Sequence, residues 1–152
     1  MGMAWTADLD TGIEVIDSQH RRIVDYINQL EQAHLRRDMD LIGQVLSELV
    51  GYTQSHFAFE ESLQEEVGYP HAKPHKAVHE MFIKRIATYQ QRHAAGENVG
   101  EALQGMLSTW LIHHIKRDDM AWVRDVGAEA RTVTLVSQPG SWLGRTLKRF
   151  FH

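Results

Sequence analysis

The sequence has no cysteine. That single absence removes disulfides, thiolate zinc sites and iron–sulfur clusters together. It has only three prolines, so little interrupts long helices. No run approaches the roughly 18 consecutive apolar residues of a membrane-spanning helix. The first residues, Met1 to Thr6, contain neither a basic stretch nor an apolar one, so no secretion leader is read there and the cytoplasm is the expected compartment. Excess positive charge is also missing: the formal net charge is -4, which argues against a nucleic-acid-binding surface. What remains is a chain of 152 residues, 43% hydrophobic and 24% charged. Such a chain suits one folded domain with one core.

Histidine is the residue present in excess, with 10 copies. Without thiolates, a metal site in this chain has to be built from imidazole and carboxylate, a donor set that suits iron, zinc, copper or manganese.

Four long segments carry helical periodicity. The first, about 18–37, aligns Ile23, Val24, Ile27 and Leu30 with His20, and Asp17 or Ser18 can cap it. The second, about 40–66, carries Val45, Leu49, Tyr52, Phe59 and Leu63 and stops at Gly68. The third begins near Pro74, a residue tolerated in a first turn, carries Val78, Phe82, Ile86 and Tyr89, and stops before Gly96. The fourth, about 100–126, carries Leu103, Leu107, Trp110, Leu111 and Ile115. Short connections make neighbours antiparallel, and helices of roughly 20 residues span about 30 Å. The expected fold is therefore all-α, an antiparallel up-down-up-down four-helix bundle.

Flanking segments complete the expected organisation. Residues 1–17 read as a non-helical arm anchored by Trp5, Leu9, Ile13, Val15 and Ile16, which makes 1–126 the domain. Residues 127–140 read as a linker ending in Pro139-Gly140, and 141–152 as a short basic amphipathic helix. In that last segment Trp142, Leu143, Leu147, Phe150 and Phe151 share one half of a wheel, opposite Arg145, Lys148 and Arg149. Such a helix either docks on its own bundle or favours an anionic membrane surface, an acidic partner or another copy of the chain. The membrane version would place the protein peripherally at the inner membrane face.

Each of the four helices also carries polar residues on its apolar face. They are His20 on the first, His56 and Glu60 on the second, and His75 and His79 on the third. The fourth offers His113, His114, Asp118 and Asp119. Residues four apart share a helix face, with Cβ atoms about 5–6 Å apart, close enough to serve one metal or a metal pair. A lone core histidine is ordinarily packed and hydrogen-bonded, and a single His-x-x-x-His arises easily in a histidine-rich chain. Five aligned histidines with two or more carboxylates are another matter, because burying them without partners costs several kcal/mol. There is no H-E-x-x-H motif, so a zincin site is not indicated. Nor are there two Glu-x-x-His motifs on two helices, as ferritin-like carboxylate bundles carry. Two six-coordinate ions sharing two carboxylates and an oxygen bridge leave six terminal positions. Five imidazoles fill all but one, and the open position is a small-molecule site.

The stretches G-I-E-V-I-D-S-Q-H-R-R-I-V-D-Y-I-N-Q-L (12–30), H-F-A-F-E-E (56–61), G-Y-P-H-A-K-P-H-K-A-V-H (68–79) and W-L-I-H-H-I-K-R-D-D (110–119) together resemble the bacterial hemerythrins over about residues 5–124. The resemblance implies a non-haem di-iron centre with an oxo or hydroxo bridge that binds O2 reversibly, for storage, delivery or sensing, and no enzymatic activity. It implies that His75, His79 and His114 hold one iron, that His20 and His56 hold the other and keep the open site, and that Glu60 and Asp119 bridge. It selects Asp119, although on an ideal α-helix Asp119 stands about 140° from His114 and Asp118 has the better spacing. It also marks Leu111 and Trp110 as lining the O2 pocket, to which periodicity adds Ile23, Ile27 and Phe59. Trp122 departs from the Tyr that hemerythrins often carry three residues after the ligand Asp. The competing readings are di-iron chemistry on peroxide or nitric oxide, and iron storage or scavenging.

Overall fold

The computed structural model describes residues 2–136. The proposed terminal helix 141–152 and the end of the proposed linker lie outside those residues. Within them the chain is helical, without strands. After a short turn of 3-10 helix at Ala7–Leu9 come α1 (Glu14–Leu35), α2 (Met39–Glu66), α3 (Ala72–Ala94) and α4 (Gly100–His113). A π-helical turn, His114–Asp119, then leads into α5 (Met120–Val136). α1 packs on α2 and on α4, and α2 packs on α3, which gives the expected four-helix bundle.

The helix ends follow from local chemistry. The Asp38 side chain caps α2 by accepting from the Leu41 backbone N–H at 3.0 Å. α2 and α3 end at Gly68 (φ 74) and Gly96 (φ 94). Each end is closed by a six-to-one backbone bond, Tyr69 N–H to Gln64 O and Glu97 N–H to Arg92 O. Pro74 sits within the first turn of α3, where its missing N–H costs nothing.

Three expectations are corrected. α1 starts at Glu14, before the anticipated Asp17 or Ser18, and no side chain caps it. Asp17 is instead buried and turned back onto the arm, accepting from the Thr11 N–H and hydroxyl (2.8 and 2.7 Å) and the Gly12 N–H (3.1 Å). Val15 and Ile16 are thus helical rather than part of the arm. Residues 127–136 are not a linker. The helix breaks its geometry at Val126 (φ -133, ψ 16) and then resumes, because Ala130 is fully buried and Val133 packs beside it.

The core divides in two. A large cluster, with Ile27, Leu30, Leu46, Leu49, Ile86 and Leu107, fills most of the bundle. A smaller one, with Ile13, Ile16, Phe59, Leu63 and Trp122, lies under the arm and α5. Of the polar residues singled out from the sequence, His20, His56, Glu60, His75, His79, His114 and Asp119 are buried.

Candidate metal centre

All seven proposed ligands are buried, none more than 5% exposed. α1 contributes His20, α2 contributes His56 and Glu60, and α3 contributes His75 and His79. The π turn contributes His114 and Asp119. That turn resolves the spacing conflict. In a π-helix the repeat runs from i to i+5, so a residue five along is brought onto the face that an α-helix gives to the residue four along. Asp119 Oδ1 thereby comes within 3.5 Å of His114 Nε2. Asp118 does pair with His114, but at the ring's outer nitrogen, Nδ1, at 2.8 Å. His113 is exposed and takes no part.

The two carboxylates divide their oxygens between two groups of histidines. Glu60 Oε1 lies 2.6 Å from His75 Nε2 and 3.3 Å from His79 Nε2. Its other oxygen, Oε2, lies 3.6 Å from His56 Nε2. Asp119 Oδ1 lies 3.3 Å from His75 Nε2, while Oδ2 lies 3.2 Å from His20 Nε2. One oxygen of each carboxylate thus faces the His75–His79–His114 group and the other faces the His20–His56 pair. Among the described residues, donor atoms within 4.8 Å of one another define two overlapping metal-capable sets, Glu60–His75–His79–His114 and His20–His56–Glu60.

The donor chemistry fits a cation. Glu61 accepts from His79 Nδ1 at 2.8 Å, Asp118 from His114 Nδ1 at 2.8 Å, and the Gln19 side-chain oxygen faces His56 Nδ1 at 2.5 Å. An acceptor at each Nδ1 puts the ring proton there and leaves Nε2 as a lone pair aimed inward. His79 Nε2 and His114 Nε2 then face each other at 3.0 Å, an arrangement that repels unless positive charge sits between them. His56 Nε2, Glu60 Oε2 and both Asp119 oxygens have no hydrogen-bond partner among the described residues.

The titration behaviour reports the same crowding. Burial opposes charge on His75, but its contacts with the Asp119 and Glu60 carboxylates prevail and raise it to about 10. His56, dominated by burial and by the neighbouring His20, falls to about 3. Burial and the facing Glu60 both work against ionised Asp119, yet the surrounding imidazoles hold it at about 2. The two carboxylates thus stay ionised, and their charge is balanced by protons on neighbouring imidazole.

Beside the His20–His56 pair lies a narrow, apolar cavity with about 10 Å³ of room for a water-sized guest, close to the threshold for one small molecule. Ile23, Ile27, Trp110 and Leu111 line it. Phe59 does not. It packs in the smaller cluster against Trp122 and Leu63. Phe57 takes the wall position instead, because it continues the α2 face of Leu49 and Thr53 at helical spacing. Phe57 also stacks on His79 (centroids 3.7 Å apart), and Trp110 stacks on His114 (4.3 Å).

Residues 11–125 match the family described as Hemerythrin HHE cation binding domain. The chain belongs to the hemerythrin family. Bacteriohemerythrins of Stenotrophomonas maltophilia and Pseudomonas aeruginosa are 50% and 47% identical to it, each covering 98% of this chain and 97% of its own length. That of Methylococcus capsulatus is 32% identical over 77% of this chain and 91% of its own. Among solved structures, wild-type hemerythrin superimposes with a TM-score of 0.75 at 30% identity, covering 79% of this chain and 94% of that one.

Sequence reasoning missed Gln19 and Phe57. Gln19 sits beside His20 in sequence yet serves His56 on another helix, so no spacing within α1 reveals it. Phe57 stands two residues from Phe59, and hydrophobicity alone does not say which of the two faces the cavity. Trp122, where a family Tyr was expected, is fully buried, and its ring N–H has no hydrogen-bond partner among the described residues.

Proposed function

We propose that this protein binds O2 reversibly at a di-iron centre, with His75, His79 and His114 on one iron, His20 and His56 on the other, and Glu60 and Asp119 bridging. The division of each carboxylate's oxygens between the two histidine groups carries this reading. A bridging carboxylate requires that arrangement, and a mononuclear site has no use for it. When bound, an iron pair supplies the electrons that O2 takes up and returns.

The chain's own residues set the conditions. Three imidazoles fill one side of the centre and two leave the other side short by one donor. Both histidines of the short side line the apolar cavity, and His114 reaches it from the other side. Ile23, Ile27, Phe57 and Leu111 admit a small uncharged molecule and keep out water, and exclusion of water protects the bound ligand from proton donors. Glu61, Asp118 and Gln19 fix the ring orientations and keep each Nδ1 proton in place. Within the described residues no helix is long and apolar enough to cross a membrane.

The test is iron analysis with absorption spectroscopy of the reduced protein before and after air, then after removal of O2. A pair of irons per chain and a visible band that appears with O2 and disappears without it are expected. A single metal, or a band that bleaches irreversibly in one exposure, would overturn the reading.

A further inference from the structure

One hydroxyl interrupts the apolar wall of the cavity. Thr53 lies on α2, nearly one turn before His56, and lines the cavity together with His20 and His56. It is 1% exposed, and its Oγ1 has no hydrogen-bond partner among the described residues. A threonine within a helix ordinarily returns its hydroxyl to a carbonyl of the preceding turn, and this one does not. A buried hydroxyl left without a partner is destabilising, and such groups in native proteins call for an explanation. Valine has nearly the same shape and would seal the cavity without that penalty. The other groups on the cavity wall that carry ring nitrogens include His20, His56 and His114, whose Nε2 atoms are turned toward Glu60 and Asp119.

We propose that the Thr53 hydroxyl donates a hydrogen bond to the small ligand held on the His20–His56 side, and thereby sets its residence time and favours ligands with an acceptor atom at the far end. O2 and linear triatomic anions such as azide have that chemistry. The inference rests on the di-iron reading above for where the ligand sits. Its energetic logic is that the hydroxyl is unsatisfied before the ligand enters and satisfied afterwards. Part of the penalty borne by the empty protein is then returned on binding, so the wall favours ligands that can accept over apolar ones of equal size.

The experiment compares wild-type, Thr53→Val and Thr53→Ser. In the iron-loaded protein, O2 dissociation is expected to be about two- to tenfold faster in Thr53→Val, the range for loss of one hydrogen bond, with association little changed and Thr53→Ser close to wild-type. Azide affinity of the oxidised protein should fall by a similar factor. In the metal-free protein, Thr53→Val should melt a few degrees higher, because the unsatisfied hydroxyl is gone. Unchanged O2 dissociation and azide affinity in Thr53→Val overturn the proposal. So does a parallel rise of association and dissociation at constant affinity, which marks a steric gate, and so does a lower melting temperature of the metal-free variant, which marks a structural partner for the hydroxyl. If wild-type forms no reversible O2 adduct yet Thr53→Val weakens azide binding, the O2 reading fails and the role of the hydroxyl stands.

Discussion

The two sides of the metal centre are built differently. On the His75–His79–His114 side, two of the rings are backed by carboxylates, Glu61 and Asp118, that reach partway to solvent (22% and 26% exposed). On the His20–His56 side, His56 is backed by the neutral, fully buried Gln19, and His20 has no hydrogen-bond partner at its outer nitrogen among the described residues. Aromatic stacking adds to the contrast, since Phe57 and Trp110 clamp His79 and His114. A carboxylate behind an imidazole raises its basicity and fixes its plane. One side is therefore a rigid, electron-rich holder, and the other is less constrained and gives both its histidines to the cavity wall. The difference separates holding the metals from admitting the ligand.

The largest effect should come from erasing the link between the sides. Glu60→Gln keeps the volume but replaces a shared oxygen with an amide that cannot bridge. The expected outcome is loss of the iron pair to a single iron or none, read by metal analysis. Asp119→Asn should act alike from the π turn.

Next in size is Leu111→Ala, which opens the cavity wall. Leu111 is 3% exposed, so truncation should destabilise by about 2–5 kcal/mol and speed oxidation to the ferric form in air. Thermal melts and the decay of the oxygenated spectrum measure the two effects. An unchanged decay rate would show that water exclusion does not depend on this wall.

Smaller effects should distinguish the outer supports. Asp118→Asn and Gln19→Leu each remove one Nδ1 partner, for which a roughly 10- to 100-fold loss of metal affinity is typical. The loss should fall on the first-named side for Asp118→Asn and on the cavity side for Gln19→Leu. Competitive chelator titration gives the affinities. Azide binding, which reads the cavity side, should change with Gln19→Leu and hold with Asp118→Asn. If both variants disturb azide binding equally, the two sides are not independent.

Much of the fold was legible because burial imposes its period on the sequence. The positions Ile23, Ile27, Leu30 and Val45, Leu49 repeat at helical spacing and do enter the core. The linker reading of 127–136 failed for an identifiable reason. The helical geometry really does break, at Val126, but tertiary packing of Ala130 under the arm restores the helix beyond it. Phe59 and Phe57 are both aromatic and two residues apart, and hydrophobicity alone does not say which of the two clusters each joins. Their roles follow from what α2 meets on either side.

By itself the sequence determined the candidate donors, histidines and carboxylates on four apolar stripes, and through its motifs the family. It could do so because ligand identity and same-face spacing are local properties of a helix. Only the tertiary structure decided how those donors are shared. The π turn that brings Asp119 to the face of His114, the reach of Gln19 to His56 and the placing of Thr53 in the cavity wall all depend on distances between helices or on a departure from ideal α-geometry. Packing sets such distances, and no residue spacing within one helix encodes them.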